Sequence, residues 1–475
     1  MKVQREFLRF ASPNEQRTIS REDLGFYHAV IVGAVYEFGD GFSIESPSSL
    51  FGPLTRCIEQ HPFLGVVVGD RHANKSYYER PAQINLEDHV EVLDPVLVEG
   101  TKRLDAIEQV QRSNLDRPFS NEVPPWRIIV LPLANSEYFI AFAFSHMLGD
   151  GLMGPSMHRS LLNACRSSPA NSPPAPSVIT TPRQPLGLPF DTAQRLPISW
   201  TFLLGPLIAY FFPKFLANLL GLKPQVATLD DGTWTGPPAF FDPEKCRTKI
   251  MLRLVDASAV QKALREARLH DAKLTGFLHQ AFVRGMSKAL GGPDTTNFVS
   301  QTSVNMRNAV GIPRDEMGEF VSGKYIAHSK NLSSGPLSED EWAAARLSTR
   351  QLAEAASTLQ DQPIGLLRYV TSIRSWLNGK LGQRRDCSLE VSNIGAFEDE
   401  DSAGAGKAKI NLVVFSQPGH VSSAPICFNL ASVKNGSLAY TVTWPTGALG
   451  INESEEETAV RSICDSIDDA FATIA

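Results

Sequence analysis

The chain has 475 residues, of which 43% are hydrophobic and 20% are charged, and its formal net charge is −6. This length exceeds what one hydrophobic core usually organises, so we expect two domains, and the composition excludes a disordered or fibrous chain. The negative charge and the lack of a Lys/Arg-rich block argue against nucleic acid as the main partner. The six cysteines form no Cys-x-x-Cys pair and no His lies at zinc-finger spacing from them, so we expect reduced thiols, no metal site and a cytoplasmic protein.

The first part of the chain predicts alternating helices and strands. Apolar residues at helical spacing indicate a helix that ends at His61, then a strand over 63–68 and a second helix over 102–112. Two apolar runs, 127–133 and 138–145, are separated by a short polar segment and predict an antiparallel hairpin. The second run is apolar on both faces, which is typical of a central strand covered on both sides.

A histidine directly follows this strand. It begins the run His146-Met147-Leu148-Gly149-Asp150-Gly151, whose glycines predict a turn before a helix over 153–165. Imidazole groups titrate near neutral pH, so a histidine at the mouth of a buried strand is suited to act as a general base. The motif alone leaves a second interpretation open, a structural histidine whose nitrogens are satisfied in the core.

Two segments of unusual composition come next. Residues 166–195 are rich in Ser, Pro and Ala, which predicts an exposed linker. Residues 196–222 are apolar and aromatic, with Lys214 as the only charge, but three prolines interrupt them. The segment approaches the length of a membrane span, so three interpretations are open: a membrane-surface element, a buried crossover between the domains, and a true span, which the prolines disfavour.

The second half predicts another α/β unit. The expected elements are a strand over 250–254, helices ending at Arg268 and over 274–290, a strand over 297–304, a helical zone over 340–377, and strands over 388–391, 409–416, 424–432 and 437–444. Asn435-Gly436 indicates a tight hairpin between the last two strands, and an amphipathic helix closes the chain.

Several short segments, in order along the chain, carry a family resemblance. They are Leu24-Gly25-Phe26-Tyr27, His61-Pro62-Phe63-Leu64, Pro125-Trp126-Arg127, the run from His146 to Gly151, Ser303-Val304-Asn305-Met306-Arg307 and Ser392-Asn393-Ile394-Gly395. Together they resemble the acyltransferase superfamily of chloramphenicol acetyltransferase, the plant BAHD acyltransferases and the peptide-synthetase condensation domains. The Asp-Phe-Gly-Trp-Gly motif of the plant branch does not occur, so the chain resembles most the fungal alcohol acetyltransferases.

The resemblance implies the fold class and the domains. We expect an α/β fold of two chloramphenicol-acetyltransferase-like subdomains, with mixed sheets flanked by helices and an active-site tunnel at their junction. The N-terminal subdomain would span 1–165 and contain the HxxxDG motif. A Pro/Ser-rich linker and apolar crossover segment would span 166–245, and the C-terminal subdomain 246–475.

The resemblance also implies roles for the motif. His146 would be the general base that reaches the acceptor hydroxyl. Asp150 would point away from the substrate and brace the loop by pairing with an arginine, for which Arg307 is the candidate, while Gly149 and Gly151 would shape the turn. Because a thioester is already activated, such a site needs little beyond the base, an oxyanion donor and a dry slot.

Polar residues elsewhere supply candidates for the remaining roles. The oxyanion or substrate candidates are Ser392, Asn393 and Ser416, and the coenzyme A candidates are Lys324, Arg384 and Arg385. Each of these also fits an ordinary turn, cap or surface residue. His420 lies near the predicted channel and is interpreted as a loop histidine.

The expected reaction is direct transfer of an acyl group, in the simplest case acetyl, from coenzyme A to a hydroxyl of a hydrophobic alcohol or secondary metabolite in a ternary complex. Acyl-CoA would be a co-substrate, with no permanently bound cofactor, and the protein would be a monomer. The segment 196–222 would allow peripheral contact with an intracellular membrane surface. Two alternatives stay open: amide formation or another His-catalysed reaction without coenzyme A, and a non-catalytic binding protein on the same fold.

Overall fold

The structure, a computed structural model, describes residues 5–39, 42–97, 100–168, 175–211, 229–399, 401 and 408–474. Within these residues the helices are α1 (Pro13–Asp23), α2 (Phe51–Gln60), α3 (Thr101–Leu115), α4 (Met153–Arg166), α5 (Trp200–Phe211), α6 (Ala257–Leu269), α7 (Leu274–Ala289), α8 (Glu339–Ser357), α9 (Ile373–Asn378) and α10 (Glu453–Ala472). The strands are β1 (Arg5–Phe10), β2 (Ala29–Phe38), β3 (Val67–Gly69), β4 (Tyr77–Pro81), β5 (Gln83–Asn85), β6 (Val90–Val92), β7 (Trp126–Pro132), β8 (Glu137–Ser145), β9 (Val178–Thr180), β10 (Thr248–Val255), β11 (Asn297–Asn305), β12 (Val321–Ser329), β13 (Leu389–Phe397), β14 (Ala408–Ser416), β15 (Cys427–Val433) and β16 (Leu438–Pro445).

Two mixed sheets carry most of the strands. The first has the order β14–β2–β8–β7–β6, with β6 parallel to β7 and the other pairs antiparallel. The second has the order β10–β16–β15–β13–β11–β12, with β13 parallel to both of its neighbours. Helices α3 and α4 pack against the first sheet, and α7 packs against α10 beside the second. The expected α/β class, mixed sheets flanked by helices, is therefore confirmed.

The predicted hairpin is formed by β7 and β8. The two strands pair in antiparallel register from Trp126 opposite Phe144 to Pro132 opposite Tyr138. β8 lies in the middle of the first sheet, and its alternating side chains belong to two hydrophobic clusters, one on each face. The prediction of a central, doubly covered strand is therefore confirmed.

Two expectations about secondary structure are wrong, and one strand of the second half was not predicted. The predicted strand over 63–68 begins as a 3-10 turn, Pro62–Gly65, because the proline ring sets a φ suited to a turn. The helical zone over 340–377 divides into α8, a 3-10 turn at Pro363–Tyr369 and α9, because a residue before proline is driven out of the helical region. Strand β12 has no counterpart in the sequence prediction.

The predicted linker, 166–195, is exposed at some described positions and buried at others. Ile179 and Phe190 are buried, each in a different hydrophobic cluster. Apolar side chains at wide intervals anchor this proline-rich segment by burial although it lacks long regular elements. The prediction of an exposed linker is wrong for this part, and 169–174 lie outside the described residues.

The apolar segment is described only as far as Phe211, and 212–228 lie outside the described residues. Its described part includes α5, on which Trp200, Leu204 and Ile208 are exposed by 76%, 37% and 38%. In the part of the chain that the structure describes, no helix is long and apolar enough to cross a membrane.

The domain boundaries at 165 and 245 stay predictions. One strand from the second part of the chain pairs with a strand of the first part. β14 comes from the predicted C-terminal subdomain, yet it pairs with β2 along its whole length and forms an edge of the first sheet. The sheet that carries His146 is therefore built from both parts of the chain.

Candidate active site

Hydrogen bonds from several elements fix the turn after β8. The backbone N–H of Ser145 donates to the carbonyl of Pro125 at 2.9 Å. The Tyr78 hydroxyl donates to the carbonyl of Met147 at 2.6 Å. His146 is held between these two anchored positions, and 15% of its side chain is exposed.

The two glycines of the motif allow the turn to pack closely. A Cβ atom at Gly149 would lie 3.0 Å from the backbone nitrogen of Gly318, and one at Gly151 would lie 3.0 Å from the Ile394 side chain. Neither motif glycine has a positive φ, so close contact and not an unusual dihedral angle requires them. The N–H of Asp150 donates to the carbonyl of Gly318 at 3.2 Å, which joins the turn to the segment between β11 and β12.

Asp150 and Arg307 form a buried ion pair beneath the turn. Arg307 Nη1 donates to Asp150 Oδ2 at 2.8 Å, and each side chain is only 1% exposed. The same oxygen accepts the N–H of Phe320 at 2.9 Å. Arg307 also donates through Nε and Nη2 to the carbonyl of Glu316, at 3.1 and 2.9 Å. The pair therefore ties the segment 316–320 to the turn that carries His146.

The Arg307→Met variant is expected to lose about 3–5 kcal/mol of unfolding free energy, because it leaves the Asp150 carboxylate buried without its counter-charge. Chemical denaturation measures this loss. The double variant Asp150→Asn/Arg307→Met removes the stranded charge and should recover part of the stability. Equal losses in the single and double variants would contradict this account of the pair.

The braced segment places a carboxylate against His146. Nδ1 of His146 lies 2.5 Å from Oε1 of Glu319, whose side chain is 3% exposed. A carboxylate accepts hydrogen bonds, so Nδ1 carries the proton and Nε2 keeps its lone pair. Among the described residues, Nε2 has no hydrogen-bond partner, and His146 lines a cavity. Nε2 is thus the nitrogen available to a substrate.

The cavity has a volume of about 650 Å³ and receives side chains from both mixed sheets. Apolar surface comes from Leu203 of α5, Phe415 of β14 and the 3-10 turn Pro363–Tyr369. This volume is in the range of small-molecule sites, roughly 300–1,000 Å³. The arrangement suits an apolar ligand with a polar end at His146.

Two of the three oxyanion candidates reach this cavity. Ser392 and Asn393 line it. Asn393 accepts the N–H of Gly395 through Oδ1 at 2.8 Å, the contact of an ordinary turn residue. Ser416 does not line the cavity, since it is fully buried and its hydroxyl donates to Gln111. Ser392 is the candidate with a side chain left for a ligand, and its role stays a prediction.

The three coenzyme A candidates do not line the cavity. Arg384 donates to the carbonyls of Asp230 and Thr233, at 2.9 and 2.6 Å. Arg385 is buried and donates to backbone carbonyls of the loop that carries His420. Lys324 lies half-buried on β12. Their role as phosphate ligands stays a prediction.

Other cationic side chains line the cavity and were missed by the sequence reasoning. They are Arg17, Arg21 and Lys380. Burial lowers the pKa of Arg17 from 12.5 to about 10, which still leaves it charged at neutral pH. Neither helix spacing nor a motif distinguishes these residues from ordinary surface charges.

Glu319 was missed for a different reason. It lies 173 positions from His146, and no spacing rule connects the two residues. The available signal was indirect: Glu319 follows shortly after Arg307, the arginine expected to reach the motif. Any acidic residue in that segment was a candidate neighbour of His146.

A second buried carboxylate, Glu22, contacts the residue before His146. It accepts hydrogen bonds from the Ser145 hydroxyl and, at 3.3 Å, from Arg71 Nη1. Burial raises the pKa of Glu22 from 4.5 to about 7, although the charge of Arg71 opposes part of the shift. The base of the turn therefore contains a group that titrates in the physiological range.

The wild-type protein is expected to lose stability relative to Glu22→Gln as the pH rises from about 4.5 to 7. Because the pKa in the folded state lies above the unfolded value, the contribution of Glu22 is fully present below the unfolded pKa. This stabilising contribution decreases as the pH rises and is lost once the pH passes the folded pKa. The total loss of unfolding free energy is up to about 3 kcal/mol. Urea denaturation of both proteins across this range measures the difference, and parallel stability curves would contradict it.

The two mixed sheets and the cavity between them form a fold that is also found in solved condensation domains and in an O-acetyltransferase. The chain superposes on the TRI3 trichothecene 15-O-acetyltransferase of Fusarium sporotrichioides with a TM-score of 0.63 and 11% identity, over 98% of this chain and 95% of that one. The starter condensation domain of the rhizomide synthetase RzmA, solved with C8-CoA, gives a TM-score of 0.59 and 12% identity, over 99% and 96%.

The chain belongs to the alcohol acetyltransferase family, whose sequence profile matches residues 48–467. An uncharacterised protein of Schizosaccharomyces pombe is 24% identical over 447 residues, 90% of this chain and 89% of that protein. The "probable alcohol acetyltransferase crmB" of Aspergillus fumigatus is 20% identical over 366 residues, 74% of each chain. The expected resemblance is confirmed, and the protein is an acyltransferase.

Proposed function

We propose that the protein transfers an acyl group, acetyl in the simplest case, from acyl-CoA to the hydroxyl of a hydrophobic alcohol or secondary metabolite. The observation that carries this proposal is the orientation of His146, whose Nδ1 contacts Glu319 at 2.5 Å while the side chain lines a cavity of about 650 Å³. An imidazole held in this way is suited to accept a proton at Nε2. The apolar wall suits a hydrophobic acceptor.

The proposed step is a direct acyl transfer. The acceptor hydroxyl gives its proton to His146 Nε2 while its oxygen attacks the thioester carbonyl and forms the new C–O bond. Glu319 stabilises the resulting imidazolium through Nδ1–H, and Ser392 is the candidate donor to the oxyanion. Collapse of the tetrahedral intermediate breaks the C–S bond, and the imidazolium returns the proton to the sulfur of coenzyme A. No covalent acyl-enzyme is needed.

Two observations support acyl-CoA as the donor. The similar condensation domain of RzmA is solved with C8-CoA, which is a donor of the proposed class. The described wall of the cavity contains three cationic side chains, Arg17, Arg21 and Lys380, and cations suit the phosphates of coenzyme A.

A mass-spectrometric screen of acyl-CoA donors against paired panels of alcohols and amines tests the proposed function. We expect ester products, and we expect acetyl-CoA to raise the Tm of the same preparation by binding the folded state. Amide products made without acyl-CoA would contradict the proposal, as would a protein that no acyl-CoA stabilises.

We also propose that a lipophilic acceptor enters from a membrane surface beside α5. On this helix Leu203 lines the cavity, whereas Trp200 and Ile208 are exposed. The Trp200→Ala/Ile208→Ser variant is expected to bind vesicles of anionic and neutral phospholipid about tenfold more weakly, because it removes buried apolar area at the interface. Its kcat with a water-soluble alcohol should not change. Unaltered co-sedimentation with the vesicles would contradict the membrane contact.

A further inference from the structure

A second histidine–carboxylate pair lines the cavity that contains His146. The ring of Tyr27 contacts both imidazoles edge-on, with 5.7 Å between centroids to His146 and 5.2 Å to His420. Nδ1 of His420 lies 3.2 Å from Oε2 of Glu390. Tyr27, His420 and Glu390 all line the cavity, so one phenol ring adjoins two imidazoles that each face a buried carboxylate.

Within the part of the chain that the structure describes, neither nitrogen of His420 makes a hydrogen bond, although the side chain is only 5% exposed. Among the described residues, Nε2 has no hydrogen-bond partner. Nδ1 lies within hydrogen-bond distance of Glu390 Oε2, but the angle between the two groups does not fit a hydrogen bond. Leaving a buried polar group without a partner costs about 1–3 kcal/mol. His420 lines the cavity, so a ligand group bound beside this ring is suited to supply the missing partner.

The surrounding structure fixes the backbone of the loop that carries this imidazole. Nη1 of Arg385 donates to the carbonyls of His420 and Val421, at 3.0 and 2.9 Å. The N–H of Gly419 donates to the Thr248 hydroxyl at 3.0 Å. Arg385, which the sequence suggested as a coenzyme A ligand, thus holds the loop that carries His420.

The carboxylate is fixed in a similar way. Gln417 donates to Glu390 Oε1 at 3.1 Å and accepts the hydroxyl of Tyr27 at 2.8 Å. Hydrogen bonds therefore connect Tyr27 through Gln417 to Glu390, and Glu390 lies beside the ring of His420. The position is defined well enough to distinguish ligands by one polar group.

The protonation of the pair favours a neutral ligand group. Burial lowers the pKa of His420 well below its ordinary range, so this imidazole is neutral at physiological pH. Burial also raises the pKa of Glu390, while the charge of Arg21 opposes that shift. A neutral imidazole offers one N–H donor and one lone pair, and a hydroxyl offers the complementary lone pair and O–H.

We infer that His420 and Glu390 form a polar subsite for a second hydroxyl group of the acceptor. The acceptor class is then an alcohol with two hydroxyls, one that His146 activates and one that His420 binds beside the same Tyr27 ring. This inference rests on the proposed function for the identity of the acylated hydroxyl. His420 is a specificity-determining residue, and it takes no part in the proton transfer.

Calorimetric titration of the full chain with octanol and with a set of octanediols tests the subsite. Free coenzyme A is present and no acyl donor is added, so no turnover occurs. We expect at least one octanediol to bind wild-type protein about tenfold more tightly than octanol, the contribution of one hydrogen bond in the cavity. The His420→Phe variant keeps a ring of similar size and should lose this preference, whereas His72→Phe, at a largely exposed position, should keep it.

Two results would overturn the subsite: no octanediol preference in wild-type protein, or a preference that persists in His420→Phe. If His420→Phe does not fold, His420→Leu provides the same test, because its side chain is apolar and carries no hydrogen-bonding group. Weaker binding of coenzyme A with an unchanged diol preference would assign the nitrogens to the donor instead. Loss of acyl transfer with an intact diol preference would count against the proposed function and not against the subsite.

Discussion

His146→Ala is expected to lower kcat by about a thousandfold, because it removes the group that takes the proton from the acceptor hydroxyl. The Kd for acyl-CoA should stay close to the wild-type value, since the imidazole acts on the acceptor oxygen. His420 cannot take over the role: it is buried, and burial keeps its pKa far below the ordinary range. Steady-state kinetics and calorimetric binding of acyl-CoA check these two expectations.

The control for this variant is His72→Ala, at a side chain that is 81% exposed. It should retain full activity. The Tm of His146→Ala also has to be measured, because Glu319 would be left buried without its imidazole partner, at a cost of about 1–3 kcal/mol. Residual activity above a tenth of wild type in a folded His146→Ala protein would falsify the assignment of His146 as the base.

Glu319→Gln is expected to lower kcat by roughly a hundredfold or more, with little change in KM. The Glu319 carboxylate accepts a hydrogen bond from the protonated Nδ1 of His146, and the two atoms are 2.5 Å apart. A glutamine amide can donate to Nδ1 instead, which favours the tautomer whose Nε2 carries the proton and cannot act as a base. The amide also has no charge with which to stabilise the imidazolium. The separation of kcat from KM therefore distinguishes a loss of proton transfer from a loss of binding.

Glu316→Gln is the matched control, in the same braced segment but with only its backbone carbonyl engaged by Arg307. It should leave both kinetic constants unchanged. Removal of the buried Glu319 charge should not lower the Tm, because a buried carboxylate carries a desolvation cost. Wild-type kcat in Glu319→Gln would show that His146 needs no carboxylate.

The elements that the sequence predicted are those with strong local signals. β8 was recognisable because apolar side chains on both faces require burial on both faces. Asn435-Gly436 was recognisable because its turn needs a positive φ, which Asn435 adopts at 61°. Where proline decides the local conformation, as at Pro62 and Pro363, the apolar pattern alone gave the wrong element.

The candidate site was less accessible from the sequence because distant segments build it. Asp150 and Arg307 are 157 positions apart, and family resemblance, not spacing, suggested the pair. Glu319 and Glu390 occupy their positions through sheet register and loop packing, which a single sequence does not encode in any short pattern. His420 was interpreted as a loop histidine, and it does lie in a loop, but its missing partners are visible only once the loop is packed.

Strand β14 makes the order of synthesis matter for this protein. β2 and β8 leave the ribosome long before the residues Ala408–Ser416 that pair with β2 exist. Until then the outer edge of β2 is unpaired and open to association with other chains. Closing this contact joins segments far apart in sequence, which slows folding. A nascent chain that stops before 408 therefore contains the whole HxxxDG motif but neither the edge strand nor the Phe415 wall of its cavity.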